Sequence, residues 1–240
     1  MAEPQGLIIW LRPERSGRGP APAFDRDRLA AAGVALADAD GLAAVTMRAV
    51  AQALGAGSAS LYRYVATREE LLELMIDQAV GELGPPEPAP APGRSLDGLL
   101  ALARQDRELY LRHPWLLEAT ASRSPLGPHA VTRLEYALAA LAGLPLSAGA
   151  KLEALSVLNA VVAALSRTEA AQRLAGRTLP QWQQAQQDYL RQVLDSGRHP
   201  HLAAAMGGCG DGTGAERDPA ELVFDRVVGK VLNGLLGERP

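Results

Sequence analysis

Apolar residues recur along most of the chain at the three- and four-residue spacing of an amphipathic helix. Met47, Val50 and Leu54 show this spacing in a short segment, and leucines and valines repeat it through residues 95–174 and 219–236. No stretch alternates apolar and polar residues over a useful strand length. The pattern therefore predicts an all-α protein.

Breaks in this pattern divide the chain into an arm and two helical units. Residues 1–24 are rich in proline, glycine and arginine and have no period, which predicts a flexible arm. Residues 25–84 form the first helical unit. Residues 85–93 are rich in proline, which lacks the amide donor that a helix needs, so they form a connector. The second unit covers residues 95–240.

Two short helices in the first unit are separated by a tight glycine turn. Gly55 ends the first helix because glycine readily adopts a positive φ. Ser58 is the predicted cap of the second helix, over residues 59–65, in which Leu61 and Val65 lie one turn apart and pack inward. This is the helix-turn-helix pattern, whose second helix enters the major groove of DNA. The first unit is thus predicted to be a three-helix DNA-binding domain.

Polar side chains of the predicted second helix are suited to contact DNA. Arg63 has the geometry to reach guanine N7 and O6. Thr67 and Glu70 have the spacing of a capping box at the next helix, where Arg68 and free amides together suit a phosphate. The residues predicted to face phosphates or base edges are Ser58, Ser60, Tyr62, Arg63 and Tyr64.

Residues 37–55 and 59–72 together resemble the DNA-binding domain of TetR-family transcriptional regulators. Two positions depart from the family pattern: Tyr64 replaces the usual His or Phe, and Arg68 replaces the usual Lys, which alters the hydrogen-bonding fork. The resemblance implies DNA contacts by Thr46, Arg48, Ser58, Ser60, Tyr62, Tyr64 and Arg68.

Structural roles remain open for three of these candidates. Thr46 has the position of a helix cap, with or without a phosphate contact. Tyr62 is either a DNA contact or a core ring with its hydroxyl at the edge. Arg63 either reads a base or is a solvated surface charge.

The formal charge does not by itself favour DNA binding. The chain carries a net charge of -3, and residues 25–84 contain five arginines against nine aspartates and glutamates. Affinity must then come from a local cationic strip. Arg12, Arg15 and Arg18 of the arm either enter the minor groove, as some arms do, or have no role in DNA binding.

The second unit resembles the C-terminal domain of the tetracycline-repressor branch at residues 111–116, 125–128 and 224–235. The resemblance implies a helical bundle that binds a small molecule and forms a homodimer through residues 148–174 and 219–236. The alternative is that these two helices are buried in a monomer. A two-fold dimer implies an inverted-repeat operator on double-stranded DNA, from which the effector releases the repressor.

The identity of the effector does not follow from the sequence. By alignment, Leu102, Asp106 and Thr120 replace the residues with which the tetracycline repressor binds tetracycline and magnesium, which argues against that ligand. Aromatic and polar residues of the second unit are candidates to line the pocket, with ordinary packing as the alternative for each. They are Tyr110, His113, Trp115, Tyr136, Asn159 and Trp182.

Other functional classes find less support. Cys209, in the glycine-rich segment 207–218, lies near His199 and His201, but the spacing fits no known metal site, so we expect no metal, cofactor or enzyme activity. A single cysteine favours a reducing cytoplasm, and no uninterrupted apolar run approaches the ~20 residues of a membrane span. A helical protein-interaction module or a small-molecule-binding enzyme on the same scaffold is the alternative.

Overall fold

The structure, a computed structural model, describes residues 9–12, 25–86, 95–121, 126–175, 180–207 and 219–237. These residues form eleven α-helices and no strand, so the all-α prediction is confirmed. The helices are α1 Arg26–Asp40, α2 Met47–Ala53, α3 Ser58–Leu61, α4 Arg68–Gly81, α5 Ser95–Arg112, α6 Leu116–Ala119, α7 Pro128–Ala140, α8 Ala148–Ala175, α9 Pro180–Asp195, α10 Pro200–Gly207 and α11 Pro219–Leu236.

The first hydrophobic core lies between α1, α2, α3 and α4. Leu29, Leu61 and Met75 are fully buried in it, and α1 and α4 pack directly against each other. Gly33 permits this close packing, because a β-carbon at that position would come within 2.6 Å of the Met75 sulfur. The core extends past the connector to Trp115 of the second unit.

The second hydrophobic core joins α5, α8 and α11. Leu99, Leu158 and Val228 are buried in it, and α7 lies alongside α5. The buried Arg107 and Glu169 form two hydrogen bonds of 2.7 Å within this bundle. A buried ion pair with matched geometry fixes the register of two helices more than it adds stability.

One buried carboxylate joins the two units. Asp77 of α4 accepts hydrogen bonds from the backbone N–H groups of His129 and Ala130, both at 3.0 Å, and so caps the amino end of α7. A β-carbon on Gly127 would overlap this carboxylate. The close approach of α7 to α4 therefore requires glycine at position 127.

Part of the predicted arm has a fixed structure. Ile9–Leu11 forms a short 3-10 helix, and Ile9 is fully buried in the first core. The prediction of a flexible arm over residues 1–24 is therefore wrong for residues 9–12, because Ile9 is buried and Trp10 packs against the same core. Arg15 and Arg18 lie outside the described residues.

By length and composition alone, α8 could also cross a membrane. Residues Ala148–Arg173 have a mean hydropathy of 1.5 in their most apolar window. Core helices of other proteins meet the same criterion, and α8 contributes Leu155, Leu158 and Val162 to the second core. The absence of a membrane partner stays a prediction.

We predict that Gly127→Ala destabilises the protein by about 1–3 kcal/mol, because the new methyl group displaces Asp77 and uncaps α7. Gly149→Ala is the control, since a β-carbon there meets only the Ser147 hydroxyl, at 4.0 Å. Urea unfolding at equal protein concentrations measures both variants. Equal stability of Gly127→Ala and wild type would show that the contact with Asp77 relaxes freely.

Candidate DNA-binding surface and ligand cavity

The helix-turn-helix is oriented by its apolar side chains. Val50, Leu61 and Val65 are fully buried, as predicted. Gly55 has φ = 66° and supplies the turn that follows α2. Thr46 is the N-cap of α2, where its hydroxyl oxygen accepts a hydrogen bond from Ala49 N–H at 3.1 Å. The burial of one side leaves the other side of α2 and α3 in solvent.

The second helix is shorter than predicted. It covers Ser58–Leu61, and turns continue the chain to Tyr64. Its N-cap is Gly57 and not Ser58, so the predicted hydroxyl cap is wrong. The Ser60 hydroxyl instead donates to the Gly57 carbonyl at 2.6 Å and closes the first turn. The Ser58 side chain thus takes no part in capping α3.

Most of the predicted DNA contacts lie on the solvent side of this unit. Tyr62 is 54% exposed, so the alternative of a core ring is wrong for this residue. Thr46, Arg48, Ser58 and Arg63 are also exposed, and Ser60 and Tyr64 are half-buried.

Arg68 points toward protein carbonyls. Its Nε donates to Val45 O at 2.8 Å and its Nη2 donates to Leu42 O at 2.9 Å. These carbonyls flank the 3-10 helix Leu42–Ala44, which leads into α2. The half-buried guanidinium therefore ties the start of α4 to the start of the helix-turn-helix. A resemblance between sequences could not reveal this, because it does not show where a long side chain points.

The acidic residues of the first unit are largely used in internal contacts. Asp77 caps α7, as described above. Asp38 at the end of α1 accepts hydrogen bonds from His113 Nδ1 and Trp115 Nε1, at 2.7 and 2.8 Å. Glu82 accepts from Arg112 and lies 3.1 Å from His113 Nε2. These carboxylates lie at the junction between the two units, so the formal charge of residues 25–84 overstates the negative charge facing DNA.

The same contacts correct two pocket predictions. His113 and Trp115 are buried, but they contact α1 and the end of α4 and are not among the described cavity residues. The chain turns toward the DNA-binding unit where α5 ends at Arg112, and this turn carries both rings to the junction. The pattern of aromatic residues did not distinguish such a junction from a pocket.

A cavity of about 750 Å³ lies among α4, α5, α6, α7 and α8. Its volume falls in the range of sites that hold drug-sized molecules. Its walls are mostly leucine, valine and alanine side chains, and Leu102, Asp106 and Thr120 also line it. The C-terminal half of α4 contributes Ile76 and Val80. We call α3 and the turn that follows it, residues 58–64, the recognition segment. The helix α4 therefore joins the recognition segment to the cavity wall.

The polar part of the cavity is centred on an ion pair. Arg133 Nε donates to Asp106 Oδ1 at 2.6 Å, and its Nη2 donates to the Leu102 carbonyl at 2.6 Å. Burial raises the pKa of the Asp106 carboxyl, and the charge of Arg133 opposes this shift. Burial also raises the pKa of the Tyr110 hydroxyl. The cavity thus offers neutral and paired polar groups within an apolar wall.

The six pocket candidates have different outcomes. Tyr110 and Asn159 line the cavity. Tyr136 is not among the described cavity residues and packs against the second core, because it lies outside the α7 stripe of residues 130, 134 and 137. The helix α9 includes the backbone of Trp182, whose side chain lies outside the described residues.

The sequence reasoning missed Arg133 and Arg167, which also line the cavity. An arginine on an amphipathic helix is normally expected at the surface, so the sequence pattern did not indicate that these two side chains line a cavity. The alignment that placed Leu102, Asp106 and Thr120 at ligand-contacting positions carried the useful signal, since all three line the cavity.

Family models match both units of the chain. The model for bacterial regulatory proteins of the tetR family matches residues 29–75, and the model for the tetracyclin repressor-like C-terminal domain matches residues 87–235. The chain belongs to the TetR family. Members of this family are transcriptional regulators, not enzymes.

Similar proteins come from actinomycetes. The chain is 37% identical over 206 residues to the HTH-type transcriptional repressor DrrR1 of Streptomyces coeruleorubidus, a match that covers 82% of this chain and 74% of the relative. The crystal structure of ActR from Streptomyces coelicolor in complex with actinorhodin superposes with a TM-score of 0.72 at 28% identity. That superposition covers 90% of this chain and 98% of ActR. ActR has also been solved without ligand, with a TM-score of 0.69 at 26% identity and coverage of 90% and 97%.

We predict that Arg68→Ala lowers the free energy of unfolding by about 1–3 kcal/mol, because it leaves two partly buried carbonyls without their donor. Arg63→Ala is the control: it removes an exposed arginine of the same domain and should change stability by less than about 0.5 kcal/mol. Urea unfolding compares the two variants. Wild-type stability of Arg68→Ala would remove its structural role and favour a phosphate contact.

Proposed function

We propose that this protein is a ligand-responsive transcriptional repressor, which binds an inverted-repeat operator as a homodimer and is released by a small molecule. The single observation that carries the proposal is the course of α4. This helix begins directly after the exposed recognition segment and ends in the wall of a cavity of about 750 Å³. A molecule in the cavity therefore contacts the helix that supports the DNA-binding surface.

The proposed operator contacts are the polar side chains of α2, α3 and the turn after α3. The exposed Tyr62 and Arg63 extend from this turn, where hydroxyl and guanidinium groups suit phosphate oxygens and base edges. Arg68 is proposed to position the helix-turn-helix through its carbonyl contacts instead of binding a phosphate. The proposed contact residues are Thr46, Arg48, Ser58, Ser60, Tyr62, Arg63 and Tyr64.

The proposed dimer interface uses α8 and α11. Both helices expose large apolar residues beside the face that they bury in the second core: Val157 on α8, and Leu222 and Val223 on α11. Exposed apolar residues on two adjacent helices suit a self-complementary two-fold contact. Such a dimer presents two recognition segments about 34 Å apart, one turn of DNA.

The proposed effector is a mainly apolar molecule with a few polar groups, acting in the cytoplasm. The leucine-rich walls favour apolar surface, while Tyr110, Asn159 and the Asp106–Arg133 pair offer hydrogen bonds at defined places. The likeness to ActR, crystallised in complex with actinorhodin, supports a small-molecule effector. Tetracycline with magnesium is not the proposed effector, because the residues that bind it in the tetracycline repressor are replaced here by Leu102, Asp106 and Thr120.

Release from the operator would follow from a movement of α4. Its 14 residues span about 20 Å, so a small tilt at Ile76 and Val80 becomes a larger displacement at the recognition segment. The effector must bind the released conformation better than the operator-bound one, because only that difference in affinity shifts the equilibrium.

The experiment that tests this function is selection of bound sequences from a random duplex pool, at a stated salt concentration. An enriched inverted repeat, together with a sedimentation mass of about twice 25.3 kDa, is the expected result. Absence of enrichment with folded protein at low salt would overturn the proposal. The helix-turn-helix would then be a scaffold for protein interaction or for an enzyme.

We predict that Tyr62→Ala weakens operator binding by about tenfold without changing stability, because an exposed hydroxyl and ring at the DNA surface are lost. Tyr189→Ala is the matched control, since Tyr189 is a similarly exposed tyrosine on α9. Fluorescence anisotropy with a labelled operator measures both affinities. Wild-type affinity of Tyr62→Ala would remove this residue from the interface.

We predict that the cavity binds the uncharged fluorophore N-phenyl-1-naphthylamine and that Ala137→Phe abolishes this binding. The added ring fills space among the cavity residues, so the probe should be excluded. Ala142→Phe, in the exposed turn after α7, is the control. Unchanged probe fluorescence in Ala137→Phe would show that the molecule binds elsewhere.

A further inference from the structure

Residues 9–12 pack against the first unit, although they lie outside the range of residues that the family model for this unit matches. That model begins at residue 29. Ile9 is 1% exposed and anchors the segment in the first core. The anchor brings the side chain of Arg12 to the junction between the recognition segment and α4.

Arg12 holds two parts of this junction at once. Its Nη2 lies 2.6 Å from Glu70 Oε2, and its Nη1 donates to Glu70 Oε1 at 3.3 Å. The same Nη2 also donates to the Tyr64 carbonyl at 3.0 Å, at the end of the turn that follows α3. We call these contacts, with the Ala66 N–H described next, the Arg12 clamp.

Glu70 completes the clamp from the side of α4. The Thr67 hydroxyl accepts from Glu70 N–H at 3.2 Å, which is the expected half of a capping box. The Glu70 carboxylate does not close the box on Thr67 but accepts from Ala66 N–H at 2.6 Å. One carboxylate therefore binds both the arginine of the arm and the backbone between Tyr64 and α4.

We propose that Arg12 is a positioning residue for operator recognition, which holds Tyr64 and the end of the recognition segment through Glu70 without contacting DNA. The proposal rests on the proposed function, since it concerns operator binding. It replaces the minor-groove role that the sequence suggested for this arginine. The side chains of Arg12 and Glu70 are 34% and 19% exposed, so the pair is partly shielded from solvent.

Glu70→Gln separates this proposal from a direct phosphate contact by the sign of its effect. If Arg12 bound a phosphate, removing a nearby carboxylate would lower repulsion and strengthen operator binding. If Arg12 acts through the clamp, the loss of the carboxylate weakens operator binding although the protein becomes less acidic. The double variant Arg12→Gln/Glu70→Gln has the net charge of the wild type, so it isolates the geometric effect.

The test measures operator affinity by anisotropy for the two single variants and the double variant. We expect each single variant to lose on the order of five- to tenfold in affinity, and the double variant to lose about as much as either single variant. Glu69→Gln, an equal charge change at an exposed position in the same helical turn, should bind at least as tightly as wild type. Tighter binding by Glu70→Gln, or wild-type affinity of the double variant, would overturn the clamp.

Hydrogen exchange without DNA tests the clamp independently of the proposed function. Peptides covering residues 61–70 should exchange faster in Arg12→Gln and in Glu70→Gln than in wild type. Glu70→Gln removes the carboxylate that accepts from the Ala66 amide, and Arg12→Gln removes the guanidinium that holds this carboxylate in place. Unchanged exchange would overturn the proposal whatever the DNA result. If the wild type selects no operator, the proposed function fails, while the exchange data still decide whether Arg12 positions this segment.

Discussion

Helix α4 is the element on which the arrangement of the protein depends, because it is packed into both halves. Its apolar face is part of the first core, and Asp77 caps α7 in the wall of the cavity. Its first turn carries the contacts that hold the helix-turn-helix, through Arg68 and Glu70. A helix held by packing and hydrogen bonds at both ends links the position of one half to the position of the other.

Several carboxylates of the first unit also take part in the contacts that hold the protein together. The first unit is acidic by formal count, yet three of its carboxylates bind partners at the junction and a fourth binds Arg12. Hydrogen-bonded carboxylates at this junction stabilise the contact between the two units. The recognition surface is left with exposed hydroxyl and guanidinium groups, which suits a DNA-binding domain whose net charge is unfavourable.

The wall of the cavity combines apolar and polar side chains. Its walls use the same aliphatic side chains as the two cores, and the Asp106–Arg133 pair adds partly exposed polar groups to this wall. Such a pair adds little net stability, because the cost of removing two charges from water offsets their attraction. At about 750 Å³, this space is of the size that drug-sized molecules occupy.

The sequence alone determined the helical class, the helix-turn-helix and its buried face, because 3.6-residue periodicity, glycine turns and caps such as Thr46 and Thr67 are local properties. Only the tertiary structure decided where long side chains end. Arg68 donates hydrogen bonds to backbone carbonyls, and Arg12 donates to Glu70. His113 and Trp115 bond to Asp38 at the junction between the two units. These outcomes depend on which elements meet in space, and residues 23 to 77 positions apart cannot show that in a local pattern.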